Sequence, residues 1–134
     1  MSKMIFVNLP ISDVDRSRAF FSGLGYTFNE QFSDDKALCM VISDTIFAML
    51  VKPEYLATFL DKPIGDPKQA ITNIISLTFD SKEEVIAHCE MAYSLGARKY
   101  KDASDLGFMY QQGFEDLDGN IWEAFWMDPA AVQG

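Results

Sequence analysis

A repeated order of predicted elements constrains this chain more than any other feature of its sequence. In the first half, a strand at Met4–Ile11 leads into a helix over Asp13–Leu24, with Ser12 as its N-cap. In the second half, a strand at Ile71–Phe79 leads into a helix opened by the capping box Ser81–Glu84. Serine favours the N-cap because its side-chain oxygen accepts a backbone N–H of the first turn, and each helix ends at a glycine, the usual stop. The repetition indicates an internal duplication, because neither half is long enough to form a stable core alone.

Three short strands are predicted after each helix. They lie at Tyr26–Phe32, Ala37–Ile42 and Thr45–Val51 in the first half, and at Arg98–Lys101, Phe108–Phe114 and Asn120–Met127 in the second. Ser43-Asp44 predicts a tight hairpin turn, and Pro53–Leu60 predicts a short helix. We therefore predict one domain over residues 1–134, with module one at about 1–60, a loop at about 61–70 and module two at about 71–128.

Composition and charge exclude several classes of partner. The formal net charge is −9, so the chain should repel nucleic acid and anionic membrane surfaces and attract a cationic ligand. No apolar run reaches the roughly 18 residues that span a bilayer. Residues 1–4 lack the basic and apolar pattern of an export signal, so the expected location is the cytoplasm. Cys39 and Cys89 lie in apolar patterns and are predicted to be reduced core residues.

Two motifs frame the chain. The first comprises Phe6–Asp13, Arg16–Phe21 and Leu24–Tyr26, in which a strand ends in Ser-Asp and the next helix carries an aromatic pair before Leu-Gly-Tyr. The second, Phe114–Glu123, is an aspartate-containing turn before a strand that bears a glutamate. In order and spacing the two motifs resemble the vicinal oxygen chelate superfamily of glyoxalases, bleomycin-resistance proteins and extradiol dioxygenases.

The resemblance implies a fold and an assembly. The implied fold is α+β, with two βαβββ modules whose strands form a curled mixed sheet around a central cleft and whose helices lie outside. Many members of the superfamily are dimers, so the resemblance also implies a homodimer.

The metal ligands of the superfamily are mostly missing. In members that use a metal ion, a histidine of the first strand lies seven residues before the motif aspartate, and here that position is Phe6. The second-half counterpart is Ile74, and Thr45–Val51 contains neither carboxylate nor histidine, so only Glu123 is a retained ligand-type residue. A divalent transition ion needs three or more convergent N, O or S ligands. We therefore expect no metal ion and no other cofactor, with a divalent metal as the disfavoured alternative.

Glu123 is the candidate catalytic residue, and two interpretations of it stay open. Alternation along its strand places it on a face with apolar neighbours, where a carboxylate is unfavourable unless it is paired or protonated. It is either a general base or ligand-anchoring acid with a raised pKa, or a relic hydrogen-bonded to a neighbour such as Asn8 or Tyr110. The single histidine, His88, lies on a helix that the resemblance places outside the cleft, so we expect no chemical role for it.

A ligand site is predicted around Glu123. The candidate ligand-binding residues are Asn8, Ser76, Glu123, Phe6, Tyr110 and Phe125. Asn8 and Ser76 lie two residues beyond the lost ligand positions and can supply neutral hydrogen bonds. The aromatic residues either line the cleft or belong to the ordinary core. Trp122 and Trp126 alternate onto the opposite face of the strand.

Three hypotheses of function follow. The leading one is a metal-independent protein, resembling the bleomycin-resistance branch, that binds a small organic molecule in the central cleft. The alternative is an enzyme of the same superfamily, a metal-dependent lyase, isomerase or dioxygenase whose ligands the motifs do not reveal. A structural or interaction protein is the third hypothesis, which an exposed patch of Trp122 and Trp126 would favour.

Overall fold

The computed structural model describes residues 3–131, and the chain divides into two compact units, Met1–Ala70 and Ile71–Gly134. The first unit contains strands β1 (Ile5–Pro10), β2 (Thr27–Phe28), β3 (Ala37–Val41) and β4 (Ile46–Val51), with helices α1 (Val14–Gly23) and α2 (Pro53–Leu56). The second contains β5 (Ile75–Thr78), β6 (Ser104–Asp105), β7 (Met109–Glu115) and β8 (Ile121–Met127), with helix α3 (Lys82–Ser94). Short 3₁₀ turns lie at Glu30–Phe32, Ala57–Phe59 and Pro129–Ala131.

Both units have the order strand, helix, three strands, and their sheets have the same topology. The strand order is β1-β4-β3-β2 in one sheet and β5-β8-β7-β6 in the other. In each sheet the first strand pairs parallel with the last, and the other neighbours are antiparallel. The predicted α+β class and the two βαβββ modules are confirmed. None of the helices within residues 3–131 is long and apolar enough to cross a membrane.

The parallel pairing determines which side chains are neighbours on each sheet. Asn8 pairs with Met49 in the first sheet, and Ser76 pairs with Glu123 in the second. Paired residues project from the same face of a sheet, so the Ser76 hydroxyl lies beside the Glu123 carboxylate.

Side-chain caps start the two long helices. Asp13, with φ −142°, caps α1 by accepting the Arg16 N–H at 3.0 Å. The prediction that Ser12 is the N-cap is wrong. The Ser12 hydroxyl instead accepts a hydrogen bond from the Arg16 guanidinium at 2.9 Å. In α3 the predicted N-cap forms: the Ser81 hydroxyl accepts the Glu84 N–H at 3.1 Å, and the Glu84 carboxylate accepts the N–H of Asp80, the residue before the cap, at 3.0 Å. Such caps typically contribute about 1 kcal/mol each.

The core of the first unit lies between its sheet and α1. Leu9, Leu38 and Leu50 share one sheet face and are at most 1% exposed. Phe20 and Phe21 of α1 are both 2% exposed, with their ring centroids 4.9 Å apart in an edge-to-face arrangement. Burying each of these side chains stabilises the unit by about 1.5–3 kcal/mol.

Helix α3 packs against one face of the second sheet, where it contacts β7 and β8. Its fully buried side chains are Val85, Cys89 and Ala92. Trp122 of β8 is also buried, and successive strand residues point to opposite faces. Glu123 therefore projects from the face that α3 does not cover. The prediction of two reduced core cysteines is confirmed, since Cys39 and Cys89 are both free and buried.

The prediction of a strand at Tyr26–Phe32 is correct only for β2. The Asn29 side chain accepts the Gln31 N–H at 3.0 Å, which turns the chain into a 3₁₀ turn instead of continuing the strand. The predicted helix at Pro53–Leu60 is likewise divided into α2 and the 3₁₀ turn that follows it.

The predicted strand at Arg98–Lys101 is wrong. Arg98 alone pairs with Glu115 of β7, through an isolated antiparallel bridge. Regular pairing resumes only at Ser104, which lies opposite Gln111. The residues in between leave the sheet, and two of them, Tyr100 and Lys101, contact Glu123 of β8.

Candidate functional site

A partly buried carboxylate with several hydrogen-bond donors lies on the open face of the second sheet. The Ser76 hydroxyl donates to Glu123 Oε1 at 3.1 Å, and the Tyr100 hydroxyl donates to Glu123 Oε2 at 2.9 Å. The Lys101 ammonium lies 3.7 Å from the same Oε2, and Gln111, which lies opposite Phe125 on the same sheet face, also helps to lower the pKa of the carboxylate. The Glu123 side chain is only 10% exposed. We call these five residues the Glu123 cluster.

A glycine makes room for the Tyr100 ring. A Cβ atom at Gly113 would lie 2.8 Å from Tyr100 Cε1, closer than real Cβ contacts, and 3.0 Å from the Tyr100 hydroxyl oxygen. It would also lie 2.8 Å from the Trp122 carbonyl oxygen. On the other side of the strand, the Gly113 carbonyl accepts a hydrogen bond from the Tyr93 hydroxyl at 2.7 Å. Tyr100 can therefore approach β7 closely and reach Glu123 only because position 113 has no side chain.

The cluster keeps Glu123 ionised. Burial raises the pKa of Glu123, but the hydrogen bonds from its neighbours and the charge of Lys101 outweigh burial and hold that pKa below its ordinary value. Burial, together with the hydrogen bond to Glu123, raises the pKa of the Tyr100 phenol, which therefore stays a neutral donor. Of the two interpretations left open for Glu123, the one with a raised pKa is wrong, because the side chain is buried among donors and not among hydrocarbon alone.

Apolar and polar side chains surround the cluster on the same face. Phe125 of β8 pairs with Thr78 of β5 on one side and with Gln111 of β7 on the other. The Phe125 side chain is half-buried. Ile74, which lies two residues before Ser76, is 50% exposed. The face thus combines one enclosed anion with exposed hydrocarbon, an arrangement typical of sites that bind small organic molecules.

The structure brings together three of the six residues predicted to bind a ligand. Ser76, Glu123 and Phe125 share the open face of the second sheet. Tyr110 pairs with Trp126, so it lies on the opposite face of that sheet, where its hydroxyl donates to the Gln112 side chain at 3.0 Å. Tyr110 is therefore not the hydrogen-bond partner of Glu123 that the sequence suggested.

Asn8 and Phe6, the other two predicted residues, belong to the first unit. The Asn8 amide donates to the Phe6 carbonyl at 3.4 Å within its own strand. The Phe6 ring is stacked on Phe47, with centroids 4.7 Å apart, and remains 47% exposed. Their role in binding a ligand stays a prediction.

Sequence reasoning missed Tyr100, Lys101 and Gln111. No local pattern identifies them, since Tyr100 reaches a carboxylate that lies 23 residues further along the chain. The adjacent aromatic and basic residues at 100 and 101, in a segment with weak strand periodicity, were the only available signal.

The residues present do not fit the divalent ion that metal-using members of the superfamily bind. Phe6 and Ile74 are hydrocarbon, and both oxygens of Glu123 already accept hydrogen bonds. Within residues 3–131, no group of three or more His, Cys, Asp or Glu side chains could hold a metal ion. A site built on Glu123 would lack the further ligands that a transition ion requires.

His88 and the two tryptophans lie away from the cluster. The His88 ring is 4.7 Å from the Phe79 ring, and burial lowers its pKa to about 4, so the imidazole is neutral at physiological pH. Trp122 is 3% exposed and donates through Nε1 to Asp116 at 2.9 Å. Trp122 and Trp126 therefore do not form the exposed patch that would favour an interaction protein.

Each unit also has an open cavity beside the start of its long helix. The cavity near α1 measures about 460 Å³ and reaches Lys52, and the cavity near α3 measures about 540 Å³ and reaches Trp126. In the latter, Lys82 and Asp105 already form an ion pair at 2.6 Å, and both side chains are more than 40% exposed. An exposed ion pair of this kind contributes little free energy, because water screens both charges. The enclosed Glu123 is the stronger candidate.

Comparisons with known proteins agree with this fold. The model for the bleomycin resistance protein-like N-terminal family matches residues 3–43. A hypothetical protein from S. aureus has a TM-score of 0.79 at 21% identity, covering 94% of this chain and 95% of that chain. A glyoxalase/bleomycin resistance protein/dioxygenase family enzyme from Burkholderia phytofirmans PsJN has a TM-score of 0.75 at 19% identity, covering 94% and 99%. A fosfomycin resistance protein from Listeria monocytogenes has a TM-score of 0.71 at 20% identity, covering 99% of each chain. No curated protein matches the chain.

Proposed function

We propose that this protein, which belongs by its fold to the vicinal oxygen chelate superfamily, binds a small organic molecule through the Glu123 cluster and without a metal ion. The observation that carries the proposal is the enclosed, ionised carboxylate on an otherwise open sheet face. A buried charge of this kind is retained only where donors satisfy it. A ligand with its own N–H or O–H groups can donate hydrogen bonds to the Glu123 carboxylate.

The state of Glu123 favours binding over acid–base chemistry. A general base works best when its pKa lies near the working pH, and the pKa of Glu123 is shifted the other way. An ionised carboxylate is instead a strong acceptor for an N–H or O–H group. The net charge of −9 also favours the approach of a cationic ligand.

A metal-dependent lyase, isomerase or dioxygenase is the second candidate. The observation that favours it is Glu123 itself, the one residue retained at a ligand-type position of the superfamily motif. Metal analysis of protein purified without chelator distinguishes the two candidates. We expect substoichiometric metal, and a full equivalent of Zn, Ni, Mn or Fe that is lost in Glu123→Gln would contradict metal-free binding.

We also propose that the protein is a homodimer. The edge strand β1 and the residue before it expose large apolar side chains: Met4 and Ile5 are each 53% exposed, and Phe6 is 47% exposed. Adjacent exposed hydrocarbon of this kind is typical of an interaction surface. Light scattering should give twice the 15.1 kDa chain mass, and Ile5→Glu should give the monomer mass. A monomeric wild-type protein would contradict this proposal.

Ligand binding is tested by screening aromatic and cationic compounds with thermal shift and then isothermal titration. We expect compounds that bind wild type to lose at least about tenfold in affinity for Glu123→Gln, because the amide is uncharged and a weaker acceptor. Glu90→Gln is the matched control, since it removes the same charge from an exposed position on α3. The proposal fails if no compound binds, or if compounds bind Glu123→Gln as tightly as wild type.

A further inference from the structure

The two oxygens of Glu123 are held by different parts of the second unit. Oε1 accepts from Ser76, which lies on the paired strand β5. Oε2 accepts from Tyr100 and faces the Lys101 ammonium, and both of these residues belong to a segment outside the sheet. We call residues 99–103 the cover segment. One oxygen is thus held by a strand and the other by the cover segment.

The cover segment is attached at its ends and by side chains. On one side, Arg98 and Glu115 exchange two backbone hydrogen bonds of 2.9 and 2.8 Å. On the other, Ser104 pairs with β7. Within the part of the chain that the structure describes, residues 99–103 make no backbone–backbone hydrogen bond and belong to no helix or strand. Segments held in this way open locally at a lower free energy than the strands beside them.

We propose that Tyr100 and Lys101 form a displaceable cover on Glu123, which occupies the place that a ligand's own donors take. The inference rests on the proposed function, and it names the class of ligand. A phenol hydroxyl and an ammonium group share one carboxylate oxygen, and the phenol ring lies on bare backbone at Gly113. The ligand is therefore an aromatic molecule that carries a hydroxyl or ammonium donor.

Displacement sets the affinity of the ligand. A ligand must exchange its donors for those of Tyr100 and Lys101, so the open state alone binds it. If the cover is closed for about 90–99% of the time, the apparent affinity falls by about 10- to 100-fold. Replacing Tyr100 by alanine should therefore raise the apparent affinity by about the same 10- to 100-fold factor. It also leaves a space on β7, beside Gly113, of the size of the ring that is lost.

The test uses the full-length protein and tyramine, whose phenol and ammonium reproduce the two groups of the cover. We expect Tyr100→Ala to bind tyramine at least about tenfold more tightly than wild type does, by isothermal titration. The double variant Tyr100→Ala/Glu123→Gln should lose that gain. A charge-reversed probe, 3-(4-hydroxyphenyl)propionate, should show no gain in Tyr100→Ala. Equal gains for both probes would overturn the proposal, because they would reflect only the filling of a hole.

A second measurement does not depend on any ligand or on the folding of Tyr100→Ala. Hydrogen–deuterium exchange of the wild-type protein should show the amides of residues 99–103 exchanging at least about tenfold faster than those of β7. The conservative variant Tyr100→Phe keeps the ring and should increase that exchange further. Amides in the cover segment that exchange as slowly as those of β7 would overturn the proposal.

The failure of the cover and the failure of the proposed function can be told apart. If the screen finds no compound for wild type and tyramine binds neither wild type nor Tyr100→Ala, the proposed function is contradicted and the cover fails with it. If the screen finds compounds whose affinity is the same for wild type and Tyr100→Phe, the proposed function is supported and the cover is overturned.

Discussion

The two units differ in the side chains at one row of paired residues. In the second unit this row consists of Ser76, Glu123 and Gly113 on three neighbouring strands. In the first unit it consists of Asn8, Met49 and Cys39. The strand order and the pairing directions are the same, so the two triplets occupy equivalent positions in their sheets. One position carries a carboxylate in contact with Ser76, Tyr100 and Lys101, and the other carries a thioether. The backbone alone does not determine the chemistry of this position.

The difference between the units lies in what covers each sheet. In the first unit, Met49 packs against an apolar cluster of Ala37, Val51 and Leu56, the last of which belongs to α2. In the second unit, the cover segment brings a hydroxyl and an ammonium instead. Hydrocarbon needs hydrocarbon around it, and a buried carboxylate needs donors. Each covering element therefore matches the side chain beneath it.

The hairpin turns before the last strands differ in the same way. In the first unit, Asp44 lies in an exposed turn between β3 and β4. In the second, Asp116 is 4% exposed and accepts from three donors: the backbone N–H groups of Asp118 at 2.9 Å and Asn120 at 3.0 Å, and the indole of Trp122 at 2.9 Å. Only the second turn is held by a buried side chain.

Removing that side chain should give the largest effect. Asp116→Ala leaves three buried donors without an acceptor, and we expect a loss of about 3 kcal/mol in the free energy of unfolding. Denaturant titration measures it. Asp44→Ala is the matched control in the other unit and should change stability by less than about 0.5 kcal/mol. Equal losses would remove the distinction between the two turns.

Exchanging the chemistry of the equivalent sheet positions should give a smaller effect. Met49→Glu places a carboxylate where the first unit provides an apolar cover, and we expect a loss of about 2 kcal/mol. Met49→Gln has a similar size and no charge, so it should lose roughly half as much. If Met49→Glu were as stable as wild type in thermal unfolding, the apolar cluster around Met49 would not explain the difference between the units.

The smallest expected effect is a pH dependence that sharpens the comparison of the turns. Burial raises the pKa of Asp116 to about 6, although the three donors oppose it. The folded state therefore binds a proton more tightly than the unfolded state, whose aspartates titrate at about 3.9. Stability from this group rises as the pH falls through 6, so the gap between wild type and Asp116→Ala should widen by about 1 kcal/mol from pH 7 to pH 5. A gap that narrows over this range would contradict the sign of the shift.

Much of the fold could be predicted because its signals are local. Alternation along β8 correctly placed Glu123 and Trp122 on opposite faces, and the Ser81 N-cap correctly started α3. The error at Ser12 was one residue, since both Ser12 and Asp13 are good N-caps and only the backbone conformation selects between them.

The partners of Glu123 could not be predicted, because they depend on register and on a segment without periodicity. Ser76 was predicted to lie in the site because it is two residues beyond the lost ligand position Ile74, and its pairing with Glu123 agrees with this. Tyr100 was predicted to lie in a strand, where its side chain would have been fixed by alternation. In the structure it leaves the sheet, and its position depends on the missing side chain at Gly113. A pattern read along the chain carries no information about such a contact.

The two cysteines allow the two units to be followed separately. The sequence contains two cysteines, Cys39 in the first unit and Cys89 in the second, and each is at most 1% exposed. Burial raises the pKa of the Cys39 thiol, and it raises that of Cys89 to about 12, so neither sulfur reacts while its surroundings stay closed. The rate at which each cysteine is alkylated therefore reports how often its own unit opens. Timed alkylation with peptide mapping would show whether the two units open at the same rate or one before the other.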